Sequence, residues 1–285
     1  MINRILRYLV LLSLLMVLAA CEEMISDVDV PETQPKLVVN SFITPDSPYT
    51  SICVYKSRPL YSSYDNDTTK FPVVKDATIT ISNADTSVNI PYDVEYDIYR
   101  ISKSDFPIIA GNTYTLNVTT PSGYSVNAIC TVPIVLPPQI ENITIDSSLE
   151  YELYKCHANF RFLDIEGTKQ YYCVTASKVS YQTGDFDPYI DELRFNRGDS
   201  YFSDKNKEGQ YFSFVTDDYY TYQEEPVKLI FTIAVIDKNY YYYHKGLSDS
   251  DEGNPFAEPT PLFSNINGGL GIFAAYIQNE IVIDL

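Results

Sequence analysis

A two-residue rhythm constrains this chain more than any other property of its sequence. In residues 75–81, Ala77, Ile79 and Ile81 alternate with Asp76, Thr78 and Thr80. In residues 153–163, Cys156, Ala158, Phe160 and Phe162 fall on one face. Successive side chains of a strand point to opposite sides of a sheet, so this spacing predicts strands with one buried face. Comparable runs occupy residues 36–43, 50–56, 96–101, 113–119, 124–132 and 171–179. Turn-forming groups such as Ala110-Gly111-Asn112 and Pro121-Ser122-Gly123 divide them. Residues 226–237, with Val227, Leu229, Ile230, Phe231, Ile233, Val235 and Ile236, are apolar enough for a central strand. The 26 Tyr and 14 Phe, with no Trp, join Val, Ile and Thr as residue types that fit a pleated, half-buried surface.

The expected fold is all-β. An Ig-like or transthyretin-like sandwich over residues 36–133 precedes a second sandwich-like domain over residues 134–285. The boundary is placed at Ile134-Val135-Leu136-Pro137-Pro138, where a double proline stiffens the backbone. Within the second domain, residues 153–163 and 171–179 read as a hairpin joined at Asp164-Ile165-Glu166-Gly167. Residues 184–209, rich in Asp, Pro, Gly and Asn, read as a long surface loop. One short helix is expected after Asp237, which can cap it, with Tyr240, Tyr243 and Leu247 on one face.

The N-terminus carries an address. Asn3, Arg4 and Arg7 precede an apolar run over residues 8–18, and Leu18-Ala19-Ala20-Cys21 follows. This reads as a secretory signal ending in a lipobox, so residues 1–20 are expected to be leader and Cys21 the site of lipidation. The apolar run is shorter than the ~20 residues of a spanning helix. Residues 21–35, acidic and without period, read as a tether between lipid and fold. More than one acyl chain is needed for durable anchoring, and bacterial lipoproteins usually carry three.

The formal charge of −18 argues against nucleic acid and against adsorption to anionic lipid, since both favour clustered cations. Cleavage before Cys21 removes Arg4 and Arg7 and no acid, making the mature chain more acidic still. Cys53, Cys130, Cys156 and Cys173 remain. Extracytoplasmic location permits Cys53–Cys130 and Cys156–Cys173 bridges, but all four lie in strand-like runs where a buried free thiol is ordinary.

No catalytic, metal or cofactor pattern emerges. His157 and His244 show no ligand spacing. Residues 249–254 have the acidity of a calcium loop without its spaced ligands or closing Glu. Asp185, Asp187 and Asp191 suit turn formation better than paired acid chemistry. The expected protein is not an enzyme and uses no cofactor. Tyrosine, rigid and carrying a hydroxyl, is favoured at interfaces. Tyr55, Tyr61 and Tyr64, then Tyr219, Tyr220 and Tyr222, then residues 240–243 form clusters. Tyr61, Tyr64, Tyr219, Tyr220 and Tyr222 are the candidate interface residues.

The C-terminal stretch Gly253-Asn254-Pro255-Phe256-Ala257-Glu258-Pro259, with Ser264-Asn265-Ile266-Asn267-Gly268-Gly269-Leu270-Gly271-Ile272-Phe273, resembles a signature of the domain of unknown function 4249 family of Bacteroidota-type lipoproteins. Lys36-Leu37-Val38-Val39, residues 77–81 and residues 110–116 are similar to that family's opening. The resemblance implies an envelope lipoprotein, often encoded near TonB-dependent outer-membrane receptors, and carries no catalytic residues. Glu22, Glu23, Asp27 and Asp29 look like acidic signals that direct such lipoproteins to the cell surface. Gly268, Gly269 and Gly271 are expected to allow unusual backbone or close approach before a final strand containing Ile272, Phe273 and Tyr276. The functional expectation is an outer-membrane-anchored, surface-facing accessory or ligand-capturing subunit of a TonB-dependent transporter. A structural or adhesive surface protein is the alternative.

Overall fold

Alternation becomes three sheets. The computed structural model describes residues 34–58, 72–167, 169–181, 188–205, 207–222, 226–250 and 262–285. Its first eight strands are β1 (Leu37–Ile43), β2 (Tyr49–Lys56), β3 (Thr78–Ser82), β4 (Ser87–Ile90), β5 (Tyr92–Asp93), β6 (Ile98–Ser102), β7 (Thr113–Thr119) and β8 (Ser125–Thr131). Then come β9 (Glu141–Glu150), β10 (Leu153–Leu163), β11 (Tyr171–Ser180), β12 (Tyr189–Leu193), β13 (Phe195–Arg197), β14 (Tyr201–Ser203), β15 (Tyr211–Thr216) and β16 (Tyr219–Thr221). The chain closes with β17 (Val227–Ile236), helix α1 (Lys238–Ser250) and β18 (Leu270–Asp284).

A nine-stranded sheet runs β12-β11-β17-β18-β1-β2-β6-β5, with β14 attached to β11. A four-stranded sheet, β4-β3-β7-β8, packs on its β1 side around a first core that includes Leu37, Val39, Ile52, Ile79, Ile81, Leu116 and Val118. A five-stranded sheet, β13-β15-β10-β16 with β9 beside β10, packs on its β11 side around a second core. Two sandwiches therefore share one sheet.

β18 makes the join. Its residues 270–275 pair in parallel with 38–43 of β1, and residues 276–284 pair antiparallel with 228–236 of β17. Phe273, Ala275 and Ile277 enter the first core, while Ile281 and Ile283 pack against the second. The expected division at residues 133 and 134 marks where one core gives way to the other. It is not a division of the fold, because the C-terminal strand completes the N-terminal sandwich and the described residues from Pro35 onward form one compact unit.

The Asn/Gly signature before β18 is a latch. Asn265 accepts from the Phe273 amide at 2.9 Å and donates to the Phe273 carbonyl at 2.7 Å and the Ile129 carbonyl at 3.2 Å. Asn267 pairs with Asn127 of β8 through backbone and through side chains at 3.0 Å. The open edge of β8 is thus tied to the segment leading into β18, which satisfies the backbone of Asn127 and the carbonyl of Ile129. A Cβ at Gly269 would lie 2.7 Å from the Leu37 carbonyl oxygen, and one at Gly271 would run into that of Val39. Gly271 also has φ +103, a conformation closed to other residues.

Two local expectations are corrected. β10 and β11 do not form a hairpin: β10 pairs with β9, β15 and β16, and β11 with β12, β14 and β17. Their apolar faces look at each other across the second core. The chain crosses between sheets through a buried polar knot. Asp164 accepts from the Tyr172 hydroxyl at 2.7 Å and the Gly209 amide at 2.9 Å, and Asp204 accepts from the Gln170 amide at 2.6 Å. Residues 184–209 are not one loop, since they contain β12, β13 and β14 as short edge strands.

Candidate functional site

A group of exposed tyrosines lies at one end of the second sandwich. In the β10–β16 register Cys156 opposes Tyr219 and Lys155 opposes Tyr220, so Tyr219 turns inward and Tyr220 outward. Tyr219 is buried in the second core and offers no ring to a partner, which removes it from the expected interface. Tyr220 and Tyr222 are exposed at 48% and 66%. Tyr61 and Tyr64 lie outside the described residues, as do Cys21, Asp185 and Asp187.

Neighbours unmarked in the sequence reading enlarge this surface. The β9–β10 hairpin turns at Tyr151 and Glu152, with φ of 50° and 72°. Positive φ at both central residues is the geometry that matches strand twist in a tight hairpin. It leaves Tyr151 fully exposed at the tip. Tyr181, Tyr189 and Ile190 are exposed where β11 and β12 end. Lys178 ties the two groups together: its ammonium donates to the Tyr220 carbonyl at 3.2 Å and pairs with Asp191 at 3.4 Å. Asp191 is accordingly a salt-bridge partner. The signal for Tyr189 and Ile190 was hidden by the polar residues around them, which read as loop.

Beside this end, His157 sits 3.5 Å from Asp146 and 3.6 Å from Asp218, and Lys155 reaches Asp218 at 3.2 Å. These are partly exposed pairs on the outer face of β10, where such contacts contribute little. Among the described residues no group of three or more His, Cys, Asp or Glu side chains is arranged to hold a metal.

His244 lies at the other end, on α1. Asp237 caps this helix as expected, accepting from the Tyr240 amide at 2.8 Å. Tyr240 packs beneath the helix against Tyr276 and Phe42, and His244 stacks on Tyr240 and Tyr201 at 4.5 and 4.9 Å. Burial pushes the His244 imidazole down to about 4, which keeps it neutral, and its Nε2 is buried without a hydrogen-bond partner. This is a packing role.

Among the described residues the four cysteines, Cys53, Cys130, Cys156 and Cys173, are free. Cys156 faces the second core, whereas Cys173 faces the cluster under α1, so the two cannot meet. Cys130 lies in the first core and Cys53 alternates away from the buried face of β2. Burial pushes the Cys173 thiol up to about 12 and also raises those of Cys130 and Cys156. Thiols held protonated in this way are poor nucleophiles.

A cleft of about 720 Å³ opens between the sandwiches, near the start of α1. Its walls come from β8 and the following Pro133, Ile134 and Val135, from Lys169 to Tyr171, and from the end of β17 through Asn239. Ile129 and Ile134 present apolar surface, exposed at 55% and 75%. Lys169 hydrogen-bonds the Tyr171 hydroxyl and, with Tyr242 and Lys238, lowers its pKa. Burial raises the Asp237 carboxyl to about 6, against the opposing pull of the Tyr240, Ala275 and Asn239 amides. The spacing of Lys169, Tyr171 and Lys238 in sequence gave no hint that β11 and α1 begin side by side.

The family model named domain of unknown function, DUF4249, matches residues 25–281, and the chain belongs to this family. No curated protein matches it.

Proposed function

We propose that this DUF4249 protein is an outer-membrane-anchored lipoprotein, facing the cell surface, that acts as a non-catalytic accessory or binding subunit of a TonB-dependent transporter. Cys21 is the lipid attachment point, and residues 22–35 form the tether that lets the β-body reach a neighbour. The observation that carries the reading is the concentration of Tyr151, Tyr181, Tyr189, Tyr220 and Tyr222 at one end of the second sandwich. Exposed tyrosines provide contact area at low conformational-entropy cost, and their hydroxyls satisfy a partner's polar groups. Contiguous apolar surface of this kind marks interaction sites on soluble domains.

The test is recovery of the tagged, full-length lipoprotein from gently solubilised outer membranes. A stoichiometric β-barrel should accompany it, and replacing Tyr151, Tyr220 and Tyr222 together by Ser should release the barrel while the protein stays folded. Recovery of the lipoprotein alone, under conditions that preserve known barrel complexes, would overturn the reading. It would favour the structural or adhesive alternative, which draws support from the single sheet that joins the two sandwiches.

A further inference from the structure

We propose that the cleft between the two sandwiches binds a small amphipathic ligand with an apolar body and one anionic head group. Three observations converge on that chemistry. The volume, about 720 Å³, lies within the range of small-molecule sites, ~300–1,000 Å³, and is too confined for a folded partner. Ile129, Ile134 and Val135 present aliphatic surface from a strand edge and its connection, backed by Ile236 of β17. Side chains as exposed as Ile129 and Ile134 gain by covering them with an apolar occupant.

The third observation is charge. Lys169 and Lys238 stand at this cleft, and among the described residues neither forms an ion pair. The chain as a whole carries −18, so two cations outside any ion pair at one opening, with Asp204 acting on Lys169 only from beyond contact, set a local field opposite to that of the molecule. Among the described residues the only carboxylate in the lining, Asp237, is committed inward to the first turn of α1. The Tyr171 hydroxyl, held beside Lys169, adds a hydrogen-bonding group that fixes the head of the ligand against β11. A carboxylate at the lysines and a hydrocarbon body along Ile129 and Ile134 satisfy both parts.

The site is separate from the tyrosine surface. The cleft lies at the Ile236 end of β17 and the tyrosines at the Val227 end, a strand of ten residues apart, or about 30 Å at the usual rise. Ligand binding here holds whether or not a barrel docks at the other end.

The experiment uses the full-length anchored protein in phospholipid nanodiscs, with protein-free nanodiscs subtracted. Calorimetry compares 2-naphthoate, neutral 2-naphthylmethanol and cationic 2-naphthylmethylammonium. Saturable one-to-one binding of the naphthoate is expected, at least tenfold tighter than the alcohol and with the cation weakest. Lys169→Gln with Lys238→Gln should weaken the naphthoate about tenfold and leave the alcohol unchanged. Ile129→Asp, at an exposed position, should weaken both. Equal binding of the anion and the cation, naphthoate binding unaffected by the lysine pair, or no saturable binding of the naphthoate would each overturn the proposal.

Discussion

The first core is filled by aliphatic side chains, with Tyr99, Tyr114, Phe106 and Phe273 as its aromatic members. The second adds to its aliphatic members a cluster of rings: Phe160, Phe162, Phe212, Phe214, Phe231 and Tyr172, with Phe202 against them. In the first sandwich the tyrosine hydroxyls hold loops. Tyr99 donates to the Val74 carbonyl at 3.0 Å and accepts from the Ala77 amide at 2.8 Å; Tyr114 accepts from the Ile109 amide at 2.8 Å. In the second, phenyl rings pack on one another, Phe160 on Phe214 at 5.1 Å and Phe162 on Phe212 at 5.4 Å. Exposed tyrosines then gather beyond the end of that core. The contrast teaches that a chain with 26 Tyr and no Trp uses the residue in two ways. In the first core, the hydroxyls of Tyr99 and Tyr114 anchor backbone. At the end of the second sandwich, Tyr151, Tyr220 and Tyr222 present exposed rings.

The sharpest way to break the comparison is to remove a ring from the aromatic core. Phe162 is fully buried and touches Tyr172, Phe202, Phe212 and Phe214. Phe162→Ala should destabilise by about 3–5 kcal/mol. Because β18 serves both sandwiches, urea unfolding of the wild type should be a single transition by near- and far-ultraviolet circular dichroism. Two transitions in the wild type would show that the shared strand does not couple the cores.

The second test lies where the sandwiches meet. The Asp237 carboxyl is raised from 3.8 to about 6, chiefly by desolvation. A folded state that holds the proton more tightly than the unfolded chain is favoured at low pH. This group's contribution is therefore fully present below about pH 4 and is lost as pH rises through 6, on the order of 3 kcal/mol in all. Asp237→Asn keeps a competent cap and removes the titration. The stability difference between variant and wild type, followed from pH 4 to 7, should move toward the variant. A flat difference would refute the assignment.

Much of this division was open to sequence reasoning. The buried faces of β10 and β17 follow from alternation, and α1 follows from Asp237 with Tyr240 and Tyr243 behind it. Alternation tells which face is buried and is silent on which strand lies alongside. That is why β10 and β11, consecutive and similarly patterned, read as a hairpin although they lie in different sheets. The crossing depends on Asp164, Gln170 and Asp204, whose burial follows only from tertiary contacts. The tyrosine end was half legible. Tyr220 and Tyr222 stood in a cluster, but Tyr219 beside them is turned inward by strand parity, and Tyr189 reaches the same end only through pairing with β11.

A smaller effect separates the two uses of tyrosine within the first sandwich. Tyr114 has a fully buried ring whose hydroxyl accepts from Ile109 and donates to the Pro107 carbonyl at 3.3 Å. Tyr114→Phe keeps the ring and removes the anchor, and should destabilise by about 1 kcal/mol. Amide exchange at Ile109 should accelerate, while the distant amides of β3 keep their protection apart from the global change. Unaltered exchange at Ile109 would show that the loop is held by its apolar contacts alone.

The smallest expected change in stability carries the most weight for function. Tyr151, Tyr220 and Tyr222 lie outside the second core, and their rings are not needed to fill it. Replacing all three by Ser should shift stability by no more than about 0.5 kcal/mol per site, the usual range for surface positions away from caps and buried networks. If the triple variant melts with the wild type yet loses its membrane partner, the exposed rings act in association. If it instead loses several kcal/mol, those rings belong to the fold as much as Phe162 does, and the contrast between the inner and outer tyrosines fails.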